Sequence, residues 1–239
     1  MGLLQLHGVT DVYHCTPLHY LVFICRSGML RSKPALMARG FEATHFRSMS
    51  RNQDSDRGFG KYVHLTLHPF PPILSAKLEA GFPHVRLGIN AVALDKTPHS
   101  LCRYNIAMTR YLRRDKKRGF EASATNGRYY GDQQIPIART DNDRAAMLKK
   151  HLGNTMIEVL VEHEIAVPDD TVITCYSEAD AVIARQIVEI LKCPWAIKIE
   201  QSETSYERNA IYVRRVKDFI RRALAEPSWN GDGLEFDRV

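Results

Sequence analysis

One carboxylate stands inside a run of β-formers in "NTMIEVLVEHEIAVP", where Met156, Ile157, Val159, Leu160 and Val161 surround Glu158. The run is too short to prefer a helix and reads as a strand over Met156–Val161. Alternation puts Ile157, Val159 and Val161 on one side, and Met156, Glu158 and Leu160 on the other. A carboxylate buried there without a partner is costly, or it takes up a proton. Glu158 therefore sits on an edge or half-exposed strand, or it is kept in place for chemistry. The strand pattern by itself favours the edge. Glu162 and Glu164 continue the same side toward what reads as a solvated end, with Glu162 the fallback carboxylate.

The other reactive residue types narrow the chemistry by what they lack. His64 and His68 share a face with Thr66 in "KYVHLTLHPF", but no third ligand is evident, so no metal is expected. Cys15, Cys25, Cys102, Cys175 and Cys193 are odd in number and show no CxxC spacing, which fits reduced thiols in a cytosol. Cys25, inside "LVFIC", reads as a small core residue. No glycine-rich fingerprint follows a strand, so a Rossmann dinucleotide site is not indicated. Two basic runs stand out. "RYLRRDKKRGF" holds Arg110, Arg113, Arg114, Lys116, Lys117 and Arg118, and "YVRRVKDFIRRALAEP" lies near the end of the sequence. Either could be a solvated helix face, but two runs interleaved with aromatics point toward nucleic acid. Tyr129 and Tyr130 could stack under unstacked bases or simply pack in a core.

The scaffold behind these residues has ordinary globular composition, with 239 residues, 44% hydrophobic and 25% charged. A net charge of +6 and a pI near 9.1 favour an anionic partner. No apolar stretch is long enough to span a bilayer, and "MGLLQLHGVTDVYH" lacks the pattern of a secretory signal. Its Met-Gly start suits myristoylation, but Leu6 stands where Ser or Thr belongs. Strands are expected at "DVYHCT", "KYVHLTL", "VRLGINAVAL", the Glu158 segment, "TVITCYS" and "WAIKIE". Helices are expected from Pro17 to a stop at Gly28, over the basic run 104–120, and over Asp141–Leu152, Glu178–Leu191 and 206–226. Residues 31–61 read as a long loop with one short helix near Ala43–Met49, "HPFPPIL" as a stop to pairing, and "SWNGDGLEFDRV" as a loose tail. Mixed elements without regular βαβ alternation give an α+β fold.

Three fragments in order carry a resemblance: "VYHCTPLHYLVFICRSGML", "YVHLTLHPFPPIL" and "IEVLVEHEIAVPDDTVITCYSEADA". Together they resemble the DarT family of ADP-ribosyltransferase toxins, which modify bases of single-stranded DNA using NAD. The resemblance spans Asp11 to Tyr206. It implies split mixed and antiparallel sheets with flanking helices, an ADP-ribosyltransferase domain over 1–206, and a basic helix and tail over 207–239. In the second fragment the family's central tyrosine falls at Thr66, and an arginine of its turn falls at Phe70. Those departures leave the choice between DNA and RNA open.

Transfer of ADP-ribose breaks the nicotinamide–ribose bond through an oxocarbenium-like centre. The enzyme must stabilise that charge and help the incoming base lose a proton. The resemblance places the catalytic glutamate at Glu158, and a strand would give it positional precision. It places the ribose-binding histidine at His14, between Tyr13 and Thr16, with Thr16 either holding a ribose hydroxyl or capping the next helix. Thr66 is the candidate brace on the nicotinamide side. The family's loop arginine falls on Arg51, Arg47 or Arg57, with Arg51 and then Arg47 preferred as a bidentate contact to the pyrophosphate. The expected protein is a cytoplasmic NAD-dependent transferase acting on single-stranded DNA first and RNA second. Toxicity implies an antitoxin partner and a role in growth arrest or phage defence. A non-catalytic nucleic-acid-binding protein and a protein-directed transferase are the alternatives.

Overall fold

The computed structural model of the chain describes residues 2–40, 59–103, 137–201 and 208–229. The strands are β1 (Asp11–Pro17), β2 (Met29–Arg31), β3 (Tyr62–Thr66), β4 (His84–Asn90), β5 (His99–Cys102), β6 (Ile137–Ala138), β7 (Glu158–Glu162), β8 (Glu164–Ala166), β9 (Val172–Cys175) and β10 (Ala196–Ile199). Eight of them form one sheet in the order β10-β9-β4-β1-β3-β7-β5-β6, and β2 pairs with β8 in a separate ribbon. Among the described strands only the β9–β10 pair is parallel, so the α+β architecture holds.

The junction at the middle of the large sheet is thin. β1 pairs with β4 through all seven of its residues, yet meets β3 at a single register pair, Tyr13 opposite Thr66. The sheet is thus two halves that part between β1 and β3. Their shared face is apolar: Val12, Val85, Leu87 and Ile89 in one half join Val63, Leu65, Leu101, Val159 and Val161 in the other, all in one core.

Local rules account for the helices over that core. The helix Leu21–Ser27 stops where Gly28 turns left-handed at φ 63°, a conformation natural to glycine, and Gly28 N–H bonds Ile24 O at 2.8 Å. Ser177 caps the helix Glu178–Ile190 by accepting from Asp180 N–H. In the basic helix Ala210–Ala225, Tyr212, Val216, Phe219, Ile220 and Ala223 recur at helical spacing and enter the same core. Arg214, Lys217, Arg221 and Arg222 lie on its exposed side.

Some expectations are corrected. The residues around "HPFPPIL" do not simply end a strand: Pro72 occupies the first position of a helix, Pro72–Glu79, where its missing N–H costs nothing. Residues 31–61 include a helix at Lys33–Met37, whereas Ala43–Met49 falls outside the described residues. The tail is not loose from its start, because Trp229 is buried with its ring 4.9 Å from that of Phe219. Finally, β7 is no edge strand. It lies between β3 and β5, and Glu158 is only 7% exposed.

Candidate active site

Five residues stand opposite one another across the large sheet: Gly88, Tyr13, Thr66, Glu158 and Cys102, one each from β4, β1, β3, β7 and β5. Paired residues of antiparallel strands project to the same face, so this row crosses the junction of the two halves. Tyr13, Thr66 and Glu158, three residues distant in sequence, are brought together by strand register.

Glu158 is held in low-dielectric surroundings. Its neighbours along the strand, Val159, Leu160 and Val161, are buried, and beside it Leu160 joins Phe59 and Cys102 in a small apolar cluster. Its Oε2 lies 3.3 Å from Nδ1 of His64, two residues before Thr66. A negative charge in such a setting acts on a nearby developing positive charge far more strongly than it would in water. The fallback, Glu162, is different: it lies exposed at the end of β7, ion-paired to Lys61, which lowers its carboxyl pKa. Glu164 bonds Arg31 and Arg39 outside the row. Of the three carboxylates, Glu158 alone belongs to the row.

His14 follows Tyr13 at the point where the halves part. Its Nδ1 bonds the backbone carbonyl of His64 at 3.0 Å. Burial lowers its pKa, overriding that bond, so the ring is neutral at neutral pH. A carbonyl can only accept, so Nδ1 carries the hydrogen and Nε2 is an acceptor suited to a hydroxyl donor.

Thr66 and Thr16 occupy different situations. The Thr66 hydroxyl accepts from His68 N–H at 3.1 Å and lies 3.4 Å from His68 O, so it fastens the turn leaving β3. Thr16 is buried in β1 and caps nothing, because Pro17 is the N-cap of the short 3-10 helix that follows. Tyr13 lies with its ring 5.1 Å from the Arg86 guanidinium, and its phenol pKa is raised by burial and then by Asp11.

Arg86 was not singled out from the sequence, although it poses the same question as Glu158: one charge in an apolar strand, "HVRLGIN". It donates to Pro69 O at 2.6 Å, Tyr176 Oη at 3.2 Å, Thr174 Oγ1 at 3.2 Å and both oxygens of Glu200 at 2.9 and 3.0 Å. It thereby ties the turn after β3 to β9 and the end of β10. Nucleophilic thiol chemistry finds no support nearby, since burial pushes the Cys15 thiol up to about 12. Among the described residues no three of His, Cys, Asp or Glu cluster as metal ligands.

Arg47, Arg51 and Arg57 lie outside the described residues, as do Arg110, Arg113, Arg114, Lys116, Lys117, Arg118, Tyr129 and Tyr130. No described helix is long and apolar enough to cross a membrane.

No family model and no curated protein matches the chain. Solved structures do. The chain is similar to Thermus sp. 2.9 DarT in complex with ADP-ribosylated ssDNA, at 15% identity and a TM-score of 0.50, over 84% of this chain and 97% of that one. It is also similar to Thermosipho africanus DarTG in complex with ADP-ribose, at 10% identity and a TM-score of 0.52, over 79% of this chain and 49% of that one. These likenesses show that the chain has the DarT fold.

Proposed function

On that fold, we propose that the protein is an NAD-dependent ADP-ribosyltransferase acting on a nucleobase of single-stranded DNA. The observation that carries the reading is the buried Glu158 opposite Thr66, in the row that crosses to Tyr13, with His14 set at the same junction. Both similar structures hold ADP-ribose, one of them as a modification of single-stranded DNA, which supports the same class of donor and acceptor here.

The roles follow from chemistry. His14 Nε2 accepts from a ribose hydroxyl and orients the sugar, with Tyr13 and Thr16 beside it. Thr66 holds the β3 turn under the nicotinamide side. Glu158 stabilises positive charge growing at the anomeric carbon and takes the proton lost by the incoming base nitrogen. Arg51, or else Arg47, neutralises the pyrophosphate. The run Arg110, Arg113, Arg114, Lys116, Lys117 and Arg118 contacts DNA phosphates, and Tyr129 and Tyr130 stack on bases. Residues 1–206 carry the reaction, and the basic face of the segment 207–239 serves nucleic acid or an antitoxin. RNA is the second candidate acceptor, and the enzyme acts in the cytoplasm as a toxin restrained by an antitoxin, in growth arrest or phage defence.

The test is incubation with labelled NAD and separate DNA, RNA and protein pools, with wild type beside Glu158→Gln. Label entering DNA, and falling by more than roughly a hundredfold in the variant, supports the reading. Label in RNA or polypeptide alone reassigns the acceptor. Wild type that binds nucleic acid without cleaving or transferring NAD makes the protein a binding module.

A further inference from the structure

His64 makes contacts that a neutral imidazole and an ionised carboxylate cannot satisfy together. Nε2 lies 3.2 Å from Phe59 O, and Nδ1 lies 3.3 Å from Glu158 Oε2. The carbonyl only accepts, so Nε2 carries a hydrogen. In a neutral ring Nδ1 would then turn a lone pair toward the carboxylate, and two acceptors do not bond. The contact therefore requires a proton between Nδ1 and Oε2. Phe59, Cys102 and Leu160, all at most 1% exposed, pack around this pair and limit competition from water. The His64 backbone carbonyl meanwhile holds His14, so one residue touches both candidate functional side chains.

We infer that His64 is a positioning residue that holds Glu158 through this shared proton. The inference rests on the transfer reading above. With Oε2 held by the shared proton, Oε1 of Glu158 is directed to the reacting centre. As the bond from base nitrogen to the anomeric carbon forms, the bond to nicotinamide breaks and its electron pair leaves with neutral nicotinamide. The base proton passes to Oε1 and then to water, while the proton at Nδ1 stays in place. When His64 loses that proton, the contact turns repulsive and the carboxylate is released. Titratable groups around His64 among the described residues are Glu158 on β7, His14 on β1, Cys102 on β5 and Tyr62 on β3, with the Lys61–Glu162 pair and His163 at the strand end.

Two substitutions and one spectroscopic measurement test this. His64→Asn keeps an N–H donor near the Nδ1 position at every pH, whereas His64→Leu keeps none. For His64→Leu, kcat falls roughly tenfold to a hundredfold while KM for NAD stays near that of wild type. His64→Asn loses less than roughly tenfold, and the fall of wild-type kcat toward alkaline pH disappears in it. Equal loss in both variants, or an alkaline limb that survives in His64→Asn, overturns the role. Independently of activity, imidazole ¹⁵N resonances of the full chain show His64 Nδ1 keeping its proton to higher pH in wild type than in Glu158→Gln. Identical titration in the two proteins overturns the pairing. Wild type that shows the coupling but no transfer sinks the transfer reading, and with it the role of the pair. Intact transfer that His64→Leu leaves unchanged sinks the role of His64 alone.

Discussion

His14 donates from Nδ1 to the backbone carbonyl of His64 across the gap between β1 and β3. A side chain thus supplies a bond where strand pairing has already ended at Tyr13 and Thr66. This fixes the ring's tautomer and its direction together. Removing the ring by His14→Ala raises KM or Kd for NAD by roughly tenfold or more, in line with loss of a buried hydrogen-bonding contact. Calorimetric titration of a non-hydrolysable NAD analogue against both proteins checks it. Unchanged affinity removes His14 from the binding site.

Glu158 should be an expensive residue for the fold. Active-site residues are often kept at a cost to stability, and a glutamine amide can still donate to Nδ1 of a neutral His64 ring, so the substitution strands no buried partner. Glu158→Gln is therefore expected to unfold at the same temperature as wild type or higher, while transfer is lost. Thermal unfolding followed by circular dichroism tests this. A fall of more than roughly 2 kcal/mol in stability would mark Glu158 as structural.

Arg86 has the opposite profile. It is 3% exposed and supplies hydrogens to Pro69, Tyr176, Thr174 and Glu200. Arg86→Met strands the buried acceptors, while Glu200, more exposed, recovers water. A loss of about 2–4 kcal/mol is expected in urea unfolding. Activity falls with it, because the turn that follows Thr66 loses its anchor at Pro69.

Acid sensitivity has an identifiable source in His84. Burial, followed by the charge of Lys77, lowers its pKa to about 3 in the folded chain. The unfolded state therefore binds one more proton between its ordinary pKa, near 6.5, and about 3. The stabilisation is complete above that ordinary pKa and is lost as pH falls through the window, by about 1.4 kcal/mol per pH unit. His84→Gln flattens this part of the stability–pH curve. A slope that persists in the variant assigns the effect to other groups, with His14 and His99, whose pKa values burial also lowers, next in line.

What could be read in advance depended on the range of the signal. Gly28 ended its helix and Ser177 began one because capping is decided within a few residues. Runs of β-formers marked β1, β4 and β9, alternation marked β3, and the unusual charge at Glu158 was visible in its own strand. The three-residue strands β2 and β8 were too short to show a period. Paired prolines concealed the helix Pro72–Glu79. The edge reading of β7 failed because sheet order, which sets burial, is not encoded in any one strand. His64 was seen only as a neighbour of Thr66, since its partner Glu158 comes from a strand ninety-four positions away. Arg86 carried a signal equal to that of Glu158, a lone charge among apolar residues, and only its four partners reveal its use.

The helix Ala210–Ala225 has one more implication, and it concerns time. Phe219 packs its ring against His19 and Phe23, which leave the ribosome long before it does. The core that backs β1 stays open until nearly all of the described chain has been synthesised. A chain that stops before Tyr212 lacks the five buried side chains with which this helix closes the core. Completion of the core is thus a late event, and a product cut short before this helix leaves β1, with Tyr13 and His14, without its apolar backing.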